Sequence, residues 1–160
     1  MRAVRSLSLL AVMLPTLACG PTVDLSTALQ ISDVATGWHD AGVVDGKNKL
    51  VPTVVFTLTN TSREPLVALQ VNAIFRRVGE TDELGSGWLS IAKADGLGPG
   101  AATSPLTITS KHGYTGTDSR LQLLKNSAFI DARVELFAKY ASTQWTRLSE
   151  FPVDRRLSDR

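Results

Sequence analysis

An antiparallel, all-β sandwich of the immunoglobulin-like type with about seven strands is the fold this sequence predicts, and three observations predict it. Apolar and polar residues alternate with period two from about residue 28 onward. Clusters of glycine, proline, asparagine, aspartate and serine interrupt that alternation roughly every ten residues, the spacing of strand and turn in a sandwich. The chain has 160 residues and 43% apolar side chains, enough for one well-built core and too few for two. An open barrel is the other closure that such strands allow.

The strands are expected in this order. Ala28 to Val34 is the first, followed by a turn-rich segment from Gly37 to Asn48 that places Trp38 in a loop. Lys49 to Thr59 is the second, with Val54, Phe56 and Leu58 on one face and Val55, Thr57 and Thr59 on the other; Pro52 near its start marks an edge or a bulge. Asn60 to Pro65 is a tight connection. Leu66 to Val78 then alternates, with Val67, Leu69, Val71, Ala73 and Phe75 buried against Gln70, Asn72 and Arg76 outside. Gly79 to Gly87 reads as a polar turn and Trp88 to Lys93 as a short strand. The segment from Asp95 to Gly100 is a glycine-rich loop, and Pro105 to Ser110 is another strand. Between Tyr114 and Asn126, a start at Asp118 or Ser119 followed by Leu121, Leu123 and Leu124 suggests one helical turn. Ile130, Ala132, Val134, Leu136, Ala138 and Tyr140 face the core from the next strand. A turn at Ala141 to Thr143 leads into the last, Gln144 to Val153.

The N-terminus has a different grammar. Arg2 and Arg5 precede the apolar run Leu7 to Leu14, the n-region and h-region of a secretory leader, and the run is too short to cross a bilayer. Its ending, Leu17-Ala18-Cys19, resembles the lipobox of bacterial lipoproteins. The resemblance implies cleavage before Cys19 and lipidation of its thiol. The organisation is then a signal peptide at 1–18, a lipidated tether at 19–27, the sandwich at 28–154 and a polar, solvated C-terminal tail at 155–160. Gly20 after the cysteine lacks the aspartate that retains lipoproteins at the inner membrane in some bacteria. The expected place is therefore the periplasmic side of the envelope, lipid-anchored, at the outer rather than the inner membrane.

A second resemblance lies in the body of the chain. Val54 to Ser62, a proline turn, Val67 to Phe75 and then Leu97-Gly98-Pro99-Gly100 ahead of a strand resemble the FxLYD-type and related immunoglobulin-like domains of bacterial envelope lipoproteins. Arg76-Arg77 stand where that family has a tyrosine–aspartate pair. The resemblance implies a small extracytoplasmic sandwich without enzymatic activity, and it implies no site residues.

Charge and motifs narrow the function classes. Arg2 and Arg5 leave with residues 1–18, so the mature chain carries 17 − 2 = 15 basic and 15 acidic residues. A neutral domain is a poor match for nucleic acid, which calls for a basic face. One cysteine excludes an internal disulfide and any multi-thiolate centre. His39 and His112 are the two neutral-pH bases, both expected in loops and neither in a triad or metal-ligand pattern. Trp38 to Asn48 gathers oxygen donors around a glycine, yet lacks the alternating acids of a calcium loop and reads better as a hairpin turn. The loop at 96–100 lacks the lysine of a phosphate cradle. No metal, cofactor or catalytic residue is expected.

What remains are candidate binding residues: Trp38, Trp88 and Trp145, whose rings could anchor a partner if exposed, and His112 and Tyr114, which with Lys111 share a polar loop. The expected function is that of a non-enzymatic, membrane-anchored envelope lipoprotein. It would bind an envelope protein or support an assembly and meet the membrane through its acyl chains. The alternative is a periplasmic lipoprotein that binds a small ligand or a glycan through exposed tryptophans.

Overall fold

A computed structural model describes residues 23–91 and 96–158. The leader and Cys19 lie outside the described residues. A short helix α1 (Leu25–Ala28) leads into β1 (Leu29–Val44), β2 (Lys47–Asn60), β3 (Gln70–Arg77), β4 (Glu83–Ser90), β5 (Leu106–Thr109), β6 (Tyr114–Gly116), α2 (Arg120–Lys125), β7 (Ala132–Lys139) and β8 (Thr146–Val153). All pairings between these strands are antiparallel. One sheet has the order β1-β2-β5, with β6 also on β2; the other has the order β4-β3-β7-β8. Consecutive strands β2 and β3 lie in opposite sheets and the chain crosses back between β4 and β5, the Greek-key wiring of an immunoglobulin-like sandwich. The predicted fold class holds, with eight strands among the described residues instead of about seven.

The core lies where period two puts it. Val54, Phe56 and Leu58 of β2 meet Val71, Ala73 and Phe75 of β3 and Val134 and Leu136 of β7, and all eight are fully buried. At about 25 cal/mol per Å² of apolar surface removed from water, such interdigitating faces supply the main stabilising term. Of the two candidate start residues, Ser119 is the one that caps α2, accepting from the Gln122 amide.

Several expectations are corrected. The segment from Gly37 to Asn48 is mostly strand: β1 continues through it to Val44, with register shifts between Ser32 and Ala35 and between Asp40 and Val43. Asp45 and Gly46, at φ 50° and 73°, then form the two-residue hairpin turn. Trp38 and His39 therefore sit in a strand. Pro52 lies in a central strand, at the gap between β6 and β5, where its carbonyl accepts from the Ser110 amide. Val67 is 41% exposed, because Ala68 takes a left-handed φ of 50° and breaks the alternation between two buried leucines, Leu66 and Leu69. Ile130 lies before β7 and is exposed.

The polar turn expected at Gly79 to Gly87 is shorter, since β4 begins at Glu83. Gly85 and Gly87 are strand residues that let β4 close on β5. A Cβ at Gly87 would come within 2.7 Å of Ile108 Cγ2 and 2.8 Å of the Thr109 carbonyl oxygen.

Both ends of the sandwich are more ordered than expected. Leu25 is 1% exposed and the Val23 amide donates to the Tyr140 hydroxyl at 2.6 Å, so the fold takes in residues assigned to the tether. Residues 155–158 are no solvated tail. Leu157 forms a parallel bridge with Trp38, and the Trp38 amide donates to the Arg156 carbonyl at 2.8 Å.

Candidate functional site

The five candidate residues separate into two groups. Trp38 is fully buried and Tyr114 half-buried, and both belong to an aromatic corner with Phe129. Ring centroids are 5.5 Å apart for Trp38 and Tyr114, 4.7 Å for Trp38 and Phe129 and 4.5 Å for Tyr114 and Phe129. The Tyr114 hydroxyl accepts from Arg77 Nε at 3.1 Å and donates to the Ile130 carbonyl at 3.2 Å. Arg155 lies over the Phe129 ring at 5.2 Å and donates to the Phe129 carbonyl at 2.8 Å. Two guanidinium groups thus cover the corner. As a binding residue Trp38 is corrected, since it has no exposed surface, and Tyr114 is half-buried with its ring and hydroxyl engaged in the corner.

Trp88, Trp145 and His112 form the second group. Trp88, on edge strand β4, is 66% exposed; Trp145, just before β8, is 41% exposed. Both point outward from the same sheet and line one shallow pocket of about 280 Å³, with Gln70, Asn72 and Ser86 between them. Register explains the set. Trp88 stands opposite Asn72, and Gln70 stands opposite Lys139, whose ammonium lies 5.0 Å from the centre of the Trp145 ring.

A second groove, of about 360 Å³, runs along the seam where β4 approaches β5. Trp88, Ser86 and Glu83 line one side, Thr107 and Thr109 the other, and Lys111 and His112 the end. Trp88 is common to both depressions. The Lys111-His112 loop is fixed from beneath: Ser110 Oγ donates to the His112 carbonyl at 2.8 Å and accepts from the His112 amide at 3.0 Å. His112 and Glu83 share the groove, but no hydrogen bond joins them. Among the described residues no group of three or more His, Cys, Asp or Glu is placed to hold a metal.

The rest of the outer face of this sheet is locked by charge. Arg76 donates to Glu135 at 3.1 Å, and Arg147 reaches Glu135 at 3.4 Å and Glu150 at 2.7 Å. Burial alone raises the affinity of Glu135 for its proton, but the Arg76 hydrogen bond and the charges of Arg76, Arg147 and Arg133 outweigh it and hold the carboxyl below the usual glutamate range. Gln70 and Asn72 were placed on the outer face by their alternation. Their neighbourhood with both tryptophans depends on strand pairing across the sheet, which no local signal encodes.

No family model matches the chain, and no curated protein matches it. Among solved structures it is similar to the Northeast Structural Genomics Consortium target SoR45, at 14% identity and a TM-score of 0.46 over 81% of this chain and 89% of that one. It is also similar to a protein from Archaeoglobus fulgidus, at 14% identity and a TM-score of 0.39 over 78% of this chain and 98% of the other.

Proposed function

We propose that the chain is a non-enzymatic lipoprotein of the bacterial envelope, anchored by acyl chains on Cys19, whose sandwich binds a protein partner at Trp88 and the groove beside it. The observation that carries this reading is the exposure of Trp88, 66%, on an edge strand between two depressions. A large ring with only two side-chain torsions, carried on a paired strand, loses little conformational freedom on binding, one reason that tryptophan is enriched at interface hot spots. The arginine, Tyr140 and Ser110 contacts described above hold their surroundings rigid and leave the groove itself open.

A photo-crosslinker at Thr107, on the groove wall, should trap the same partner repeatedly in native membranes, whereas one at Lys47, in the far hairpin, should trap none. W88A should abolish the trapped product. Equal trapping from both positions, or none from either, overturns the reading. Intact mass of the mature chain tests the anchor, and C19S should move the protein into the soluble periplasmic fraction.

One observation favours a second reading, a glycan or small polar ligand. Between Trp88 and Trp145 lie two amides, Gln70 and Asn72, which offer both donors and acceptors to ring hydroxyls. Quenching of tryptophan emission by cell-wall saccharides, lost in W88A, would support it.

A further inference from the structure

We infer that the end of the sandwich holding Val67 and the β7–β8 loop is seated on the lipid surface, with the Trp145 ring in the interfacial layer. This rests on the anchoring reading above and adds an orientation to it. Cys19 stands four residues before Val23, so a chain anchored there reaches at most about 14 Å between lipid and fold. The point where it enters the fold is fixed. The Val23 amide donates to the Tyr140 hydroxyl, and Leu25 is buried beneath it. Val23, Asp24 and Leu25 share one depression with Ser142, Thr143, Gln144 and Thr146, the residues that flank Trp145. A 14 Å leash attached beside Trp145 holds this end, and no other, against the membrane.

The surface presented there suits that position. The Ala141 amide donates to the Val67 carbonyl at 3.2 Å, which ties the 61–69 loop to the β7–β8 loop. Val67 and Trp145 are each 41% exposed, apolar groups that the fold leaves in contact with water. Lys139 lies over the Trp145 ring at 5.0 Å, an aromatic body with a cation above it, the combination that sits at the boundary between acyl chains and headgroups. Around them the charges are mixed: exposed Arg63 and half-buried Lys139 against exposed Asp24 and Glu64. The contact is therefore insertion of rings and methyls, not attraction to anionic lipid. Trp88 stands two residues further along the strands, about 7 Å from the edge, which leaves the groove free for its partner.

The test uses the protein purified from membranes and reconstituted into phosphatidylcholine vesicles with or without brominated acyl chains, which quench nearby tryptophans. Intact mass is read from the same sample. Brominated lipid should quench W88F at least as strongly as wild type and W145F far less, with no need for anionic lipid. Quenching of W145F as strong as that of wild type, or equal emission of the acylated wild type in both vesicles, overturns the seating and leaves the anchor standing. An unacylated mass overturns the anchor itself, and the seating with it.

Discussion

Trp38 and Trp88 occupy strands of the same sandwich and have opposite fates. Trp38 faces inward from β1, stacks edge-on against Phe129 and is bridged by the C-terminal segment through Leu157. Trp88 faces outward from an edge strand and leaves two thirds of its surface open. The same side chain belongs to the core where other rings and two guanidinium groups surround it, and stays in water at a sheet edge, where the proposed function makes it a binding element. Burial, not residue type, separates the two roles, so stability and binding should fail independently.

The largest break comes from the buried corner. W38A removes a fully enclosed ring and should cost about 3–5 kcal/mol, a large share of the stability of a domain this size, measured by urea unfolding. The seam comes next. G87A drives a methyl toward Ile108 and the Thr109 carbonyl, and should cost about 1–3 kcal/mol and widen the groove beside Trp88, so that both unfolding midpoint and partner capture fall.

These two sites also show what the sequence discloses and what it hides. Period two is legible wherever a strand is regular: β2, β3 and β7 are readable, as is a helix start at Asp118 or Ser119. It fails where the ladder is interrupted. The irregularities between Ser32 and Ala35 and between Asp40 and Val43 shift the alternation twice, so the second half of β1 reads as loop and Trp38 with it. Gly85 and Gly87 look like turn residues because nothing local says that β5 will press against them. Residue type alone singles out Trp88 and Trp145; that they share a pocket is set by the β3–β7 pairing, which puts Gln70 opposite Lys139, a contact distant in sequence. Docking of 155–158 on Trp38 is hidden for the same reason.

A smaller effect sharpens the boundary between the charged and aromatic halves of the outer face. Glu135 is 14% exposed and its carboxyl is held below the ordinary range by Arg76, so E135Q should cost about 1–2 kcal/mol at neutral pH. A carboxyl whose affinity for its proton is lowered by folding stabilises the fold above its unfolded value, and that contribution is lost as pH falls through the folded one. The gap between wild type and E135Q should thus be full at pH 7 and shrink as the medium becomes more acidic than the ordinary glutamate range. A gap that stayed constant into that acid range would mean that packing, not charge, is what E135Q removes.

The smallest stability effect carries the largest functional consequence. W88A deletes a ring that is mostly in water and stands clear of the corner, so its unfolding free energy should lie within about 0.5 kcal/mol of wild type. If Trp88 anchors a partner, the same substitution should weaken binding by at least about 2 kcal/mol, roughly thirtyfold in Kd against the trapped partner. W145A serves as the control beside it: equally mild in urea and without effect on that Kd, because its ring is assigned to the lipid surface. Were W145A to weaken partner binding as much as W88A, the two rings would form one platform and the division between groove and membrane-facing end would fall.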